Sequence, residues 1–475
     1  MFSEIADCFV HLDALLSDNA KVRLAIASKS HLKFLQKFLY HTCISINSIH
    51  QLPYFDRFTV VIVDSHTQIV PNNVKHIRYN QRRDDICFPI LTTTNGLIKN
   101  INEVFVFSGK IKIPDEIERV TFLAGFEEGF DDLFLPSNMK YFDTGPTFNK
   151  SIVGCVPEGL KEMRLWCTNQ LTKDMIPDSV VNLLFGPMFN QPVKGYLPSK
   201  LEVLKFDGCF DQPLRDCLPN TLKKLTVGGQ YINSIDGCIP DSVIELHFSA
   251  CFNRPVSAQT FPPYLEVLTF GIMFSHPIEN YIPKTVKHLD LGGKFNESIK
   301  HLPDLEYLSL GFEFDRPIKD YIPKTVKMLK FGRKFDQSIK GSIPSGVTYL
   351  SFDQRFDQSI EDSIPSAVTY LSFGGRFNQP IKGHIPVSVK ILYLGCGNRE
   401  INSFNQSIEG AIPSSVEELR LGYNFCQPIK NYIPTSVQVL FFYGKINPHI
   451  EEYIEKYISD SVKILYVGGV FIRKQ

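Results

Sequence analysis

The chain has 475 residues, in which 50 lysines and arginines balance 50 aspartates and glutamates. This balance provides no basic excess for phosphates, so we expect no nucleic-acid partner. No apolar run reaches the length of a membrane-spanning helix, and the first residues carry acids where a targeting peptide carries bases. We therefore expect no membrane partner and a cytoplasmic location.

The cysteines also favour a reducing compartment. They number 11, which is odd, and no two of them form a C-x-x-C pair, so the pattern fits neither a disulfide framework nor a zinc ribbon. The sequence also lacks the phosphate-binding, metalloprotease and serine-hydrolase motifs. We predict a protein that is not an enzyme, with no catalytic residue, no metal and no cofactor.

Residues 1–45 lack the repeat found further on, and their pattern predicts a small α-helical cap. Leu24, Leu32 and Leu35 recur on one helical face, and the polar triplet at residues 17–19 marks a turn between two helices. The run at residues 15–29 resembles the middle of an F-box, the helical module by which substrate receptors dock onto the Skp1 adaptor of cullin ubiquitin ligases. The resemblance implies a set of adaptor-binding residues: Leu15, Leu16, Val22, Leu24 and Ile26.

A simpler interpretation of this segment stays open. The leading Leu-Pro of an F-box is missing, and Phe2, Ile5 and Phe9 stand where its first apolar helix would be. A repeat stack also needs a terminal unit that covers the open edge of its sheet. The helices therefore form either an F-box or a plain cap.

The sequence pattern of residues 46–113 predicts degenerate first repeats. The β-branched run at residues 59–63 predicts the first edge strand. Weak repeat units follow, one with Ile77 and Tyr79 after Pro71, and one with Val104 and Val106 but no proline.

Residues 114–475 contain a clear internal repeat. From Lys324 the chain reads KTVKMLKFGRKFDQSIKGSIP, SGVTYLSFDQRFDQSIEDSIP and SAVTYLSFGGRFNQPIKGHIP without a gap. Each unit ends in a marker proline. Apolar side chains such as Val347, Leu350 and Phe352 follow that proline at the third, sixth and eighth positions, and the step of two indicates a strand with one buried face. Glycine, phenylalanine and Asn or Asp then mark a turn.

One repeat of about 21 residues buries too little apolar surface to offset its own ordering, so the repeats must stack. The predicted fold is a β-rich, leucine-rich-repeat-like solenoid of about nineteen repeats with one parallel sheet behind the helical cap. We expect Leu350, Leu371 and Leu392 to form one buried column. The proline in each return segment disfavours long helices there.

The repeats resemble the FNIP repeat, a relative of the leucine-rich repeat with a Phe-Asn-x-(Pro/Ser)-Ile core that occurs in social amoebae and in giant viruses of amoebae. The core appears at Phe377-Asn378-Gln379-Pro380-Ile381 and at Phe404-Asn405-Gln406-Ser407-Ile408. The resemblance runs from about Pro71 to the end of the chain, and a longer rung near residues 398–403 and a shorter rung at Pro303 interrupt its regularity.

Side chains at the fifth and seventh positions after each proline alternate with the buried pair, so they point out of the sheet on the face that leucine-rich horseshoes use for partners. We predict a protein substrate on this concave face. The predicted binding residues form an exposed, tyrosine-rich stripe, with a basic edge of Lys334, Arg355 and Arg376 beside it: His288, Tyr307, Met328, Tyr349, Tyr370, Ile391 and Tyr393. Alternatively, these tyrosines are there because tyrosine suits a strand.

The predicted function is protein binding, as a substrate receptor of a Skp1-cullin-F-box ubiquitin ligase. The partners would be a protein substrate on the stripe and a Skp1-type adaptor at the N-terminus. The alternatives are an interaction scaffold with no ligase contact and an enzyme with an unrecognised site.

Overall fold

The computed structural model describes residues 113–472 except residues 114, 116, 123–134, 147, 149, 167–169, 230, 396–402, 430, 445–460 and 468–469, and it gives the backbone of seven short strands between Ile44 and Val106. The predicted helical cap, with its five adaptor-binding residues, lies outside the described residues. No helix in the part of the chain that is described has the length and apolarity needed to cross a membrane.

The chain divides into two compact units, with the division near residues 213–223. The described part of the first unit contains twelve strands, each two to four residues long: β1 Ile44–Ser45, β2 Val60–Val63, β3 Ile69–Val70, β4 His76–Tyr79, β5 Thr92–Thr93, β6 Gly96–Leu97, β7 Glu103–Val106, β8 Arg119–Phe122, β9 Tyr141–Asp143, β10 Glu162–Leu165, β11 Asn182–Phe185 and β12 Val203–Phe206. Nine of them pair in parallel in the order β1, β2, β4, β7, β8, β9, β10, β11, β12.

The second unit repeats one strand per rung from β13 to β24 and ends in a further strand: β13 Lys224–Val227, β14 Glu245–Phe248, β15 Val267–Thr269, β16 His288–Asp290, β17 Tyr307–Ser309, β18 Met328–Lys330, β19 Tyr349–Ser351, β20 Tyr370–Phe373, β21 Ile391–Leu394, β22 Glu418–Leu421, β23 Val439–Phe442, β24 Ile464–Val467 and β25 Val470–Ile472. Strands β13 to β24 pair in parallel in chain order. The parallel solenoid predicted from the repeat is confirmed.

Register follows the repeat, because equivalent residues of adjacent rungs lie opposite each other. Leu350 pairs with Leu371, and Leu371 pairs with Leu392. All three side chains are fully buried, so the predicted leucine column is confirmed. Within one rung, Val347 and Phe352 complete the buried face of the strand.

Phenylalanine fills the rest of the core in two stacked ladders. The ring centroids of Phe335 and Phe356 lie 6.1 Å apart and those of Phe356 and Phe377 lie 6.2 Å apart, and the ring planes are nearly parallel. Within the rung, Phe352 stacks on Phe356 with ring centroids 4.0 Å apart. Such pairs contribute about 0.5–1.5 kcal/mol each beyond the area they bury. The ladders explain why nearly every repeat keeps a phenylalanine at this place.

The Asn or Asp after the phenylalanine links each rung to the next. Asp336 Oδ1 accepts hydrogen bonds from the Asp357 backbone N–H at 2.9 Å and from Gln358 Nε2 at 2.9 Å. Asp357 Oδ1 accepts the same pair of bonds from the Asn378 N–H and from Gln379 Nε2. Because the required group is a side-chain oxygen acceptor, aspartate and asparagine are interchangeable here.

Two turns explain the glycines of the repeat. A Cβ on Gly332 would lie 2.1 Å from the Gly311 carbonyl oxygen, so the turn after the strand has no room for a side chain. The return turn uses a left-handed residue in most of the described rungs, for example Asp320, Gly341 and Asp362 in three successive rungs, with φ between 51° and 66°. Glycine, aspartate and asparagine adopt this conformation most easily.

Three features differ from the expected single parallel sheet. Strand β1 pairs outside β2, so the run at residues 59–63 is not the edge strand. Strands β3, β5 and β6 form a separate small sheet. Strand β25 turns back and pairs antiparallel with β24, which covers an edge that would otherwise offer unpaired backbone groups. The predicted boundaries at residues 45 and 113 stay predictions.

Candidate protein-binding surface

The strands of the second unit have one buried and one outward face. In β20, Leu371 and Phe373 are buried whereas Tyr370 and Ser372 are partly exposed. The same alternation occurs in β21, where Ile391 and Tyr393 face outward. The fifth and seventh positions therefore point away from the core, as the period of two predicts.

All seven residues of the predicted stripe lie on this outward face. The parallel register places Met328 opposite Tyr307 on one side and Tyr349 on the other. Ile391 is opposite Tyr370 on the next strand. The structure thus brings the stripe together as one row across six strands, β16 to β21.

The stripe is less exposed than its sequence pattern predicts. Only His288 among the seven is exposed, and the other six are partly buried. The cause is packing between neighbouring rungs: Tyr349 and Tyr370 stack with ring centroids 4.1 Å apart, and Tyr370 meets Tyr393 edge-on at 5.3 Å. The ring centroids of His288 and Tyr307 lie 5.1 Å apart. The stripe is a pre-arranged aromatic surface rather than a row of free side chains.

The packing also changes the chemistry of the central tyrosine. Burial raises the pKa of Tyr370 above its ordinary value, and its hydrogen bond to Tyr349 adds to the rise. The hydroxyl therefore stays neutral and remains a hydrogen-bond donor at every physiological pH.

Lys330 also belongs to this surface, although it is not among the residues predicted from the sequence. Its Nζ lies 5.3 Å from the ring centroid of Tyr307 and 5.5 Å from that of Tyr349. The ammonium thus bridges the two tyrosines by cation–π contacts. The sequence did contain a signal for it, because Lys330 is the seventh residue after Pro323 and the seventh position faces outward.

The aromatic surface also continues beyond Tyr393. The guanidinium of Arg420 lies 4.4 Å from the Tyr393 ring and 4.3 Å from the Phe441 ring, so it is held between them. Phe441 in turn lies 5.4 Å from Tyr466 on β24. All four occupy the seventh position of consecutive rungs, a column that could have been found by continuing the repeat alignment from Tyr393.

Hydrogen bonds fix Arg420 in that place. Its Nε donates to Glu418 Oε1 at 2.7 Å and its Nη1 donates to the Tyr443 hydroxyl at 3.1 Å. Tyr393 donates to the same Glu418 oxygen at 2.8 Å. Burial acts to lower the pKa of Arg420, but the Glu418 hydrogen bond together with the charge interactions with Tyr443, Tyr393 and Glu418 outweighs it, and the pKa is raised. The cluster is a charged and aromatic patch with a fixed geometry.

An ion-pair cluster lies at the start of the second unit. Lys224 Nζ donates to Glu245 Oε2 at 2.6 Å, and His247 Nε2 lies 3.6 Å from the same oxygen. The Lys224 hydrogen bond lowers the pKa of Glu245, and burial lowers the pKa of His247. The cluster is therefore an ion pair of Lys224 and Glu245 with a neutral histidine beside it.

Metal-ligating side chains do not cluster in the described residues, where no group of three or more His, Cys, Asp or Glu could hold a metal ion. The six cysteines in the described part of the chain form no disulfide: Cys155, Cys209, Cys217, Cys238, Cys251 and Cys426.

The rungs and their shared register define the class of this protein as a parallel β-solenoid of the leucine-rich-repeat type. The FNIP repeat family matches residues 168–294, 335–397 and 404–445, a little under half of the chain. These residues therefore contain FNIP repeats. Among solved structures it is similar to CroV588, described as a novel circular leucine-rich-repeat protein, with 26% identity, a TM-score of 0.63, and coverage of 87% of this chain and 70% of that one.

Two further similarities are more limited. A stretch of 71 residues, 14% of this chain, is 37% identical to the putative F-box protein R638 of Acanthamoeba polyphaga mimivirus. The match covers 53% of that relative, so the chain spans about half the length of the curated relative it matches. YopM from Yersinia enterocolitica WA-314 shares 17% identity over 81% of this chain and 87% of its own, with a TM-score of 0.45.

Proposed function

We propose that this chain is a protein-binding receptor whose partner docks on the outward face of the second unit. The observation that carries the proposal is the band of partly exposed, mostly aromatic side chains from Tyr307 to Tyr466, which includes Met328 and Arg420 and shifts from the fifth to the seventh repeat position at Tyr393. Tyrosine and arginine are the residues most enriched at the energetic centres of interfaces. The stacking at Tyr349 and Tyr370 holds the rings in place before binding, which reduces the entropy that binding costs.

The finer form of the proposal is a substrate receptor of a Skp1-cullin-F-box ligase in the cytoplasm. It is supported by the F-box resemblance of residues 15–29 and by the name of the mimivirus relative, a putative F-box protein. In this form, an adaptor binds Leu15, Leu16, Val22, Leu24 and Ile26 while the substrate occupies the stripe, which we take to be the concave face. A scaffold with no ligase contact is the second candidate, favoured by the missing Leu-Pro.

Protein binding is tested by comparing what co-purifies with the full-length chain and with a triple variant, Tyr307→Ala, Tyr349→Ala and Tyr370→Ala. Quantitative mass spectrometry should find partners that the triple variant loses. The matched control is Tyr264→Ala with Tyr281→Ala, since these rings are 65% and 37% exposed and lie outside the stripe. Retention of every partner by the triple variant would contradict the proposal.

The ligase form is tested with a purified Skp1-type adaptor. Size-exclusion chromatography of the full-length chain with the adaptor should give a complex that Leu16→Asp with Leu24→Asp abolishes and the triple tyrosine variant keeps. Lys37→Asp, which lies beyond the F-box-like run, is the matched control. If the unchanged chain forms no complex, the scaffold candidate replaces the ligase receptor.

A further inference from the structure

Beside the stripe, the turns after the strands of the second unit form an apolar notch. The turn after β15 exposes Ile272, with 53% of its surface accessible, and the turn after β17 exposes Phe312, with 48% accessible. Between them the turn after β16 carries Gly293, where a Cβ would lie 2.8 Å from Ile272 Cγ2. The glycine therefore leaves a gap between two exposed apolar side chains, and the gap is lined by Gly271, Gly292, Gly311 and Asp290.

Four cations lie at the end of β18 and on the turns after β18, β19 and β20, on the rungs that follow the notch, and have no ion-pair partner among the described residues: Lys330, Arg333, Arg355 and Arg376. Arg333 lies over the Phe312 ring, with its guanidinium 5.6 Å from the ring centroid. By contrast, the neighbouring Lys334 is paired with Glu313. We call Ile272, Phe312 and the four cations together the basic notch.

The carboxylates nearby are already engaged by backbone groups. Asp290 Oδ1 accepts a hydrogen bond from the Gly292 N–H at 2.9 Å, and Asp353 Oδ1 accepts one from the Gln354 N–H at 2.7 Å. These bonds orient the two carboxylates within their turns and leave their charge, so the four cations on these rungs compare with two carboxylates that have no ion-pair partner among the described residues. Arginine binds carboxylates with two parallel hydrogen bonds, and three of the four cations are arginines.

We propose that the basic notch binds an acidic segment of the protein partner, with one apolar or aromatic side chain of that segment in the gap between Ile272 and Phe312. The inference rests on the proposed function and names the chemistry of its partner. Opposite charges across the interface would speed association and fix the direction of the segment. The apolar gap and the balanced charge of the whole chain favour a peptide over a nucleic acid as the anion.

The test uses three fluorescein-labelled probes and the full-length chain in fluorescence anisotropy. The probes are a peptide of glutamates with a central phenylalanine, the same peptide with lysine for every glutamate, and oligo(dT). The acidic peptide should bind more tightly than the lysine peptide, and its affinity should fall as salt is raised. The double variant Arg333→Glu, Arg355→Glu should weaken the acidic peptide by about tenfold or more and bind the lysine peptide instead.

Two further variants make the result specific. Arg254→Glu, an exposed arginine on a return segment of the same unit, should leave the acidic peptide bound as before. Phe312→Ser should weaken the acidic peptide but not reverse the charge preference. The inference is wrong if the two peptides bind alike, if the double variant changes nothing, or if oligo(dT) binds the same arginines more tightly. The co-purification experiment distinguishes this failure from a failure of the proposed function. If partners still depend on the three tyrosines, the proposed function stands even though the basic notch does not bind an acidic segment.

Discussion

The two units place tyrosines at the same repeat position but use them differently. In the first unit, Tyr141 is only 5% exposed, because the Arg119 guanidinium covers its ring at 3.8 Å and its hydroxyl donates to Asp143 at 3.3 Å. In the second unit, Tyr349 and Tyr370 stack on each other, with Lys330 near the first ring and Tyr393 near the second, and both tyrosines stay partly exposed. The first arrangement stabilises a rung, whereas the second leaves aromatic surface for a partner.

The difference arises from the neighbours of the tyrosine and not from its position. Asp143 is buried and accepts hydrogen bonds from Trp166 Nε1 at 2.7 Å and from the Gly145 N–H at 2.9 Å. In the second unit, serines such as Ser351 and Ser372 occupy the seventh position where Asp143 lies. A serine is too short to cover a neighbouring ring, so the tyrosine surface stays open.

The largest effect is expected from a charge in the shared core. Leu371→Asp places an unpaired carboxylate in a fully buried column, which should cost about 3–5 kcal/mol and open the adjoining rungs. Hydrogen exchange should rise around residues 350–392, while emission from Trp166, the chain's one tryptophan, stays constant. The control Ser351→Asp, on the outward face, should change stability by less than about 0.5 kcal/mol. Equal effects of both variants would contradict the assigned faces.

The second-largest loss of stability is expected in the first unit. Asp143→Ala removes the acceptor of Trp166 and Gly145, which should destabilise this unit by about 1–3 kcal/mol. Urea unfolding followed by Trp166 emission measures the loss, and the emission of the folded variant should shift as its indole N–H loses its partner. Asp178→Ala, at an exposed carboxylate, is the control and should unfold at the same urea concentration as the original chain.

The repeat made most of the second unit predictable, because each rung must bury the same side chains against its neighbours. The column of Leu350, Leu371 and Leu392 follows directly from that period. The stacking of Tyr349 on Tyr370 and the place of Lys330 between two rings did not follow, since they depend on the rotamers of adjacent rungs. Strand β25 also escaped prediction, because it pairs antiparallel outside the repeat.

A third effect concerns alkaline stability. Burial, with the nearby Asp143 charge, raises the pKa of Tyr141 from 10.0 to about 12, so the folded chain keeps the phenol neutral where the unfolded chain ionises it. This stabilisation is complete below about pH 10 and is lost as the pH rises towards about 12. The pKa of Tyr370 is raised as well, so the titration is made in a Tyr370→Phe background. Absorbance at alkaline pH should then show a late step that Tyr141→Phe removes and Tyr264→Phe keeps. If the late step survived in Tyr141→Phe, the step would belong to another tyrosine and the prediction for Tyr141 would be wrong.

The smallest effect on stability is expected in the stripe itself. Tyr370→Ala removes one stacked ring and should cost about 0.5–1.5 kcal/mol. Tyr370→Phe keeps the ring and should cost less. If Tyr370→Ala destabilised the chain as strongly as Leu371→Asp, the tyrosine would belong to the core and not to a binding surface.

The claim that the outward face receives the partner is tested most directly by site-specific photocrosslinking. Met328 lies between Tyr307 and Tyr349, so a benzoyl-phenylalanine placed there would sample the stripe without removing a tyrosine. The same probe at Val387, which is 85% exposed and lies outside the strands, is the control. We predict protein adducts from position 328 that the triple tyrosine variant loses, and none of these adducts from position 387. No adduct at position 328, or the same adducts from both positions, would contradict the account.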